Sequence, residues 1–330
     1  MTTTPVVSVL MAVYNAQHYL EKALDSLLHQ TLCDIEVLAV DDCSTDNSLS
    51  LLQHRACMDG RLRVFRQSEN QGQAVARNLA LREARGEFVC MVDADDWLSP
   101  DALETAVAQF RAYPQTDCVV FRLMRHWDAD GHEELWPEKW LPDACLTGEE
   151  ACRLSFDWTL HGLYLVRRDL HMRYPFDETY RLFSDDNTTR LHYLHSREVR
   201  FCLGIYYWRQ HAESSTTAVS PRLFLYMLAN QSMTRLLRES GASPSLMAAW
   251  ERQRWYNYLG QLWLWFRTKH ELTAEERRDV LLRFRQVYAS FTGHIRPFRW
   301  LYWEQWLRFH VRTWRNQIFS VIVLTFIIYS

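Results

Sequence analysis

Along the first 125 or so residues, short apolar runs alternate with stretches whose apolar positions recur at helical spacing. Val6 to Val13 reads as a strand and Ala16 to His29 as a helix. Ile35 to Val40 is a second strand, followed by a helix from Ser44 to about Arg55 with Asp46 near its start as a turn residue. Leu62 to Arg66 precedes a helix from about Gln73 to Ala84, and Glu87 to Val92 is a strand that runs on into Asp93. Ser99-Pro100-Asp101 announces the next helix, with serine as N-cap and proline at the first helical position. Asp117 to Met124 is a further strand. Strands separated by helices of this length predict an α/β fold with a doubly wound, mostly parallel sheet. From about Arg125 to Ser215 the pattern is less regular, with loops at Trp136-Pro137 and Pro142-Asp143. Beyond Ser220 it is mainly helical, with a break near Gly241 to Pro244. The chain therefore divides into a domain over 1–217 and a C-terminal helical appendage over 218–330.

In such sheets ligands bind beyond the carboxyl ends of the strands. Tyr14-Asn15 follows the first strand, Asp41-Asp42 the second, and Asp93-Ala94-Asp95-Asp96 the fourth. If the fourth strand continues, side chains 93 and 95 point the same way, while Asp96 lies off that face. Two carboxylates held that close repel unless a cation sits between them. A hard divalent ion such as Mg²⁺ or Mn²⁺ suits oxygen donors and also holds substrate phosphates. A Rossmann dinucleotide site is excluded, because no G-x-G-x-x-G follows the first strand. A Walker-type phosphate loop is absent as well.

Composition narrows the picture further. With 330 residues, 48% of them hydrophobic, the chain can bury a full core. A formal net charge of −3 excludes nucleic-acid binding by bulk electrostatics. The eight cysteines are scattered without C-x-x-C pairing, which points to a reduced, intracellular protein rather than a disulfide scaffold or zinc site.

The motifs, taken in order, resemble those of family 2 glycosyltransferases of the GT-A fold, especially bacterial enzymes that build lipopolysaccharide and capsule sugars. Val7 to Asn15 is similar to the family's opening strand, and Asp41-Asp42-Cys43-Ser44-Thr45-Asp46 to its D-D-G-S-T-D turn. Asn70-Gln71-Gly72 through Ala76-Arg77-Asn78 resembles N-x-G-x-x-x-A-R-N, and Asp93 to Asp96 the metal motif. Pro175 to Glu178 and Asp185-Asp186 resemble the F-D-E and E-D motifs, and Tyr207 to His211 with Ser214-Ser215 the Y-x-R-x-H-x-x-S ending. The resemblance spans roughly residues 5 to 217 and implies an inverting, metal-dependent transfer from a nucleotide sugar, a UDP-sugar, to a glycan or glycolipid hydroxyl. It implies that Ala12, Tyr14, Asp42, Arg77, Asp93 and Asp95 bind the nucleotide sugar, with Asp42 accepting from the uracil N–H. Asp95, Asp93 and His211 would hold the metal, and Asp186 would be the base that takes the acceptor proton. Two departures stand out: Cys43 replaces the usual glycine, where an allowed turn conformation is expected, and Asp185 replaces the usual glutamate.

At the C-terminus, Arg296 to Arg315 interleaves Trp300, Trp303, Trp306 and Trp314 with arginines, and Ile318 to Tyr329 carries no charge. The uncharged stretch is too short to cross a bilayer, which takes about 20 residues. Tryptophan with basic residues suits the headgroup zone, so a peripheral anchor on the cytoplasmic face of the bacterial inner membrane is expected. The alternatives are an ordinary buried segment or a homodimer contact. For the whole chain, the rival to an active transferase is a catalytically inactive nucleotide-sugar-binding or scaffolding subunit.

Overall fold

The computed structural model describes residues 4–136, 143–180, 183–211 and 219–291. Two compact units separate, Met1–Thr217 and Ala218–Ser330. In the first, strands β1 (Val7–Val13), β2 (Ile35–Asp41), β3 (Leu62–Arg66) and β4 (Phe88–Met91) lie parallel in the order β3-β2-β1-β4. Helices α1 (Leu20–Leu28), α2 (Ser48–Met58) and α3 (Gln73–Glu83) make the crossovers. Every residue of β2, and all but one of β1, is buried. That is why these strands read as unbroken apolar runs rather than alternating ones. Helix α1 buries Leu20, Ala23, Leu24, Leu27 and Leu28, a single stripe at helical spacing.

The sheet continues through segments whose pattern is weaker. These are β5 (Trp97–Leu98), α4 (Ala102–Ala112), β6 (Thr116–Trp127), β7 (Glu133–Leu135), β8 (Cys145–Leu146), α5 (Gly148–Leu154), β9 (Tyr164–Arg167), α6 (Arg168–Arg173), α7 (Ser184–Leu194) and β10 (Glu198–Gln210). The order from β4 onward is β4-β9-β6-β10-β5, in a sheet of ten strands that includes β7 and β8 at its margins. Strand β9 runs antiparallel to both β4 and β6, whereas β6 and β10 are parallel. The sheet is thus mostly parallel with one reversed strand at its centre.

Four local expectations change. Strand β4 ends at Met91, and residues 92–96 form a turn instead of continuing the pleat. Helices α1 and α2 start about four residues later than the pattern suggests. Their first turns are tied by side chains, Ala16 N–H donating to Ser48 Oγ (2.8 Å) and Gln17 N–H to Asp46 Oδ2 (3.1 Å). Helix α4 has Asp101, not Ser99, as N-cap, so Pro100 lies outside it. Ser99 is held at the sheet edge: its N–H donates to Ile205 O (2.8 Å) and its Oγ accepts from Ile205 N–H (2.9 Å).

The register aligns the carboxyl ends. Val13 lies opposite Asp41, and Leu10 opposite Met91, with Val92 N–H still donating to Leu10 O (3.1 Å). The turns after β1, β2 and β4 therefore leave the sheet side by side.

The second unit contains α8 (Leu225–Glu239), α9 (Pro244–Thr268) and α10 (Ala274–Ala289). Ser243 caps α9, and Thr273 with Glu276 forms a capping box on α10. Trp250, Tyr258 and Phe284 are buried among these helices. No helix among the described residues is long and apolar enough to cross a membrane. The stretch Arg296 to Tyr329, and Ser214-Ser215, lie outside the described residues.

Candidate functional site

The turn after β2 is built around buried carboxylates. Asp41 accepts from Ser44 N–H (3.3 Å), and Asp42 accepts from Gln71 N–H and Gly72 N–H, each at 2.8 Å. Asp42 thereby fastens the loop before α3, whose N-cap Gly72 has a φ of +96° that a side chain would strain. Each carboxylate oxygen has a second lone pair, so Asp42 can still accept from a ligand N–H. Cys43 takes the left-handed φ of +63° that glycine would adopt without cost. Asn15, at φ +50°, joins this turn to the first by accepting from Thr45 N–H (2.8 Å). Tyr14 projects from the tip of β1 half exposed, beside the partly buried Ala12.

After β4, Asp96 N–H donates back to Asp93 O (3.1 Å), closing a tight turn. This turn, not strand alternation, brings the carboxylates together. Asp96 belongs to the group: oxygens of Asp93, Asp95 and Asp96 lie within 4.8 Å of one another. Burial, and then repulsion from Asp93, pushes the Asp95 carboxyl up. The same causes, burial first and then Asp95 and Asp93, push Asp96 well above the usual carboxylate range. Crowded oxygens that resist ionisation fit a hard divalent cation, which would relieve the repulsion. Asp96 is already engaged, accepting from Tyr206 Oη (2.8 Å) and Arg209 N–H (2.8 Å). Asp93 and Asp95 are the less engaged of the three.

Strand β10 supplies the clamp. Arg209 Nε donates to Asp95 O (2.6 Å), and His211 Nε2 lies 3.0 Å from Asp95 Oδ2. The His211 ring packs on Tyr19, with Nδ1 3.1 Å from Tyr19 Oη. Thus His211 reaches the acidic turn from a distant part of the chain.

Arg77, almost fully buried on α3, donates to Asp93 Oδ1 at 2.5 Å and lies 3.8 Å from Asp185 Oδ2. Burial works against its charge, but Asp93 and Asp185 more than compensate and raise its pKa. Its neighbour Asn78 donates to Phe176 O (2.9 Å) and Glu178 Oε1 (2.7 Å), and accepts from Phe176 N–H (2.9 Å). The 76–78 and 175–178 segments are therefore partners in space. Next to Asp185 on α7, Asp186 pairs with Arg190 at 3.5 Å. Burial, only partly offset by Arg190, pushes the Asp186 carboxyl up to about 6.

Asp93 and Asp95 thus meet directly, together with Asp96, and His211 touches Asp95; Arg77 links Asp93 to the start of α7, and Asp42, Ala12 and Tyr14 sit on the neighbouring strand tips. Asp96, Tyr206 and Arg209 were not among the expected site residues. Arg209 falls inside the Tyr207 to His211 motif, but nothing in sequence indicates that its backbone N–H supports Asp96. His161 is buried, accepts from Leu163 N–H (3.3 Å), and is pushed down to about 4 by burial, as expected of a core histidine.

Residues 8–170 match the sequence profile of Glycosyl transferase family 2. Residues 8–170 form a domain of that family. Among curated relatives, EpsH of Bacillus subtilis (strain 168) is 40% identical over 128 residues, which is 39% of this chain and 36% of EpsH. The chain spans 18% to 40% of the length of the first three such relatives. Among solved structures, S. aureus TarS 1–349 in complex with UDP-GlcNAc aligns with a TM-score of 0.67 at 21% identity, over 88% of this chain and 82% of that one. The mannosyltransferase PcManGT of Pyrobaculum calidifontis, in complex with GDP-Man and Mn²⁺, aligns with a TM-score of 0.53 at 19% identity, over 99% of this chain and 88% of that one. These likenesses are of fold, and the fold is of the GT-A type: a mixed α/β unit on a mostly parallel central sheet, with C-terminal helices.

Proposed function

We propose that this chain is an inverting, metal-dependent glycosyltransferase that moves a sugar from a UDP-sugar to a hydroxyl of a bacterial surface glycan or lipid-linked acceptor. One observation carries the reading: Asp93, Asp95 and Asp96 gather in the turn after β4, with His211 on Asp95 and Arg77 joining Asp93 to Asp185. TarS with UDP-GlcNAc and PcManGT with GDP-Man and Mn²⁺ support a nucleotide sugar and a metal on this fold.

Asp93 and Asp95 would hold the cation, whose chemistry when bound is to neutralise charge on the departing diphosphate. Asp42 and Tyr14 receive the base at the tips of β2 and β1. The acceptor oxygen forms a bond to the anomeric carbon while the bond from that carbon to the diphosphate oxygen breaks, its electron pair leaving with the diphosphate. The acceptor proton passes to the Asp186 carboxylate, whose raised pKa makes it a stronger base than an exposed aspartate. Attack from the side opposite the diphosphate inverts the anomeric centre.

A thermal-shift panel of UDP, GDP, CMP and dTDP, each with and without Mn²⁺, tests the reading. A shift with UDP that needs Mn²⁺ is expected. A shift with GDP alone would change the donor, and no metal-dependent nucleotide shift would overturn the proposal. UDP binding without turnover of any UDP-sugar, acceptor extracts included, would favour the inactive binding subunit.

A further inference from the structure

Trp158 has a backbone conformation that bulky residues avoid, φ +63° and ψ +15°, at the end of the short turn Ser155–Asp157. A strained residue persists only where its surroundings fix it, and such residues cluster at functional sites. The turn that carries it packs on α7, and its side chain holds down the Asp186 pKa that burial raises. Its ring lies 6.1 Å from that of Trp208, at a tilt of 34°, and 6.4 Å from that of Trp136. The three come from separate segments, the turn after α5, strand β10 and the residue after β7. Trp136 and Trp208 pack one side on the sheet core, and all three remain only partly buried. Phe183, just before Asp185 and Asp186, is also left-handed at φ +68°.

We propose that Trp158 and Trp208, with Trp136 at their edge, form the platform on which a pyranose ring of the acceptor stacks, and that Trp158 aims Asp186 at its hydroxyl. The inference rests on the transferase reading above. A pyranose presents a face of C–H bonds that complements an indole face, while its hydroxyls leave the edges free for a carboxylate. A nucleotide base could also stack on tryptophan. However, this cluster sits by the turn that packs on α7, the helix of Asp186, whereas Asp42 and Tyr14 are carried by the tips of β2 and β1. Trp158 is thus a positioning residue for Asp186 and a binding residue for the acceptor sugar.

The test uses the full chain with UDP and Mn²⁺, and methyl β-D-glucopyranoside, methyl β-D-galactopyranoside and methyl N-acetyl-β-D-glucosaminide as probes. Saturation-transfer NMR reads ring C–H contact, and tryptophan fluorescence reads affinity. At least one glycoside is expected to bind, with its ring C–H signals strongest. Trp158→Ala and Trp208→Ala are each expected to weaken that binding about tenfold. Trp158→Phe, which keeps a ring but loses the N–H, is expected to retain glycoside binding while kcat for transfer falls. UDP·Mn²⁺ affinity in all three variants should match the parent, which also certifies their fold. Glycoside binding unchanged in both alanine variants, or absent from the parent while UDP still binds, would overturn this proposal alone. Failure of the parent to bind UDP would overturn the transferase reading, and this proposal with it.

Discussion

The guanidinium of Arg77 donates to Asp93 Oδ1 at 2.5 Å from a position 1% exposed to solvent. Removing one partner of a buried pair leaves the other uncompensated, which costs about 3–5 kcal/mol when both are buried. Asp93 is 42% exposed, so water recovers part of that cost. Arg77→Met is expected to lower stability by about 2–3 kcal/mol in urea unfolding and to abolish nucleotide-sugar turnover. Unchanged stability would mean that the pair does not hold α3 to the acidic turn.

Asp95 offers a test of opposite signs. Burial and the Asp93 charge raise its pKa, so without a cation the ionised carboxylate works against the fold at neutral pH. Asp95→Asn should melt no lower than the parent in EDTA. In Mn²⁺ the parent should gain stability and the variant should not, with transfer reduced about 100-fold or more. Equal Mn²⁺ shifts in both proteins would remove Asp95 from the metal site.

Asp186 should set the acid limb of the pH profile. Its carboxyl, raised to about 6, must be ionised to take a proton, so kcat/KM should fall below that pH with unit slope. The stability sign runs the other way. A raised carboxyl favours the folded state below its unfolded value, and that contribution fades as pH rises through about 6. Asp186→Asn should remove transfer while leaving UDP·Mn²⁺ affinity intact, measured by calorimetry. Residual activity with the acid limb still present would assign the base elsewhere.

Cys43 occupies a turn position with φ +63°. Glycine escapes the left-handed penalty but loses more chain entropy, so Cys43→Gly should stabilise by about 0.5–1 kcal/mol. Urea midpoints compare the two. A loss of stability would show that the thiol contact to Ser68 O outweighs the strain.

Asn78 makes three hydrogen bonds to residues 176–178 from a buried position. Truncation orphans the Phe176 backbone groups, and Asn78→Ala should cost about 2–3 kcal/mol in urea unfolding.

The parallel half of the sheet was legible because strands covered on both faces must be apolar throughout, and their tips must carry any ligand chemistry. Asp42, Asp93 and Asp95 stand at the strand tips to which that rule and the family's motif order assign them. Strand β9 was not legible, because a short apolar run carries no direction, and only pairing with β4 and β6 shows it reversed. A continued pleat places Asp96 off the face of Asp93 and Asp95, whereas the β-turn that forms instead brings it into the group. Tyr206 and Arg209 reach Asp95 and Asp96 across long sequence separations, through contacts that no local periodicity encodes.

Strand β10 also constrains which ions fit. One continuous ribbon grips Asp95 through Arg209 and His211, and Asp96 through Tyr206 and Arg209. A carboxylate pinned at Oδ2 and at its backbone oxygen, as Asp95 is, would not spread readily to the longer bonds of Ca²⁺, about 2.3–2.6 Å against about 2.0–2.1 Å for Mg²⁺. Size discrimination would then be built into the scaffold itself, and Ca²⁺ should compete poorly with Mg²⁺ until that brace is cut, as by Arg209→Ala.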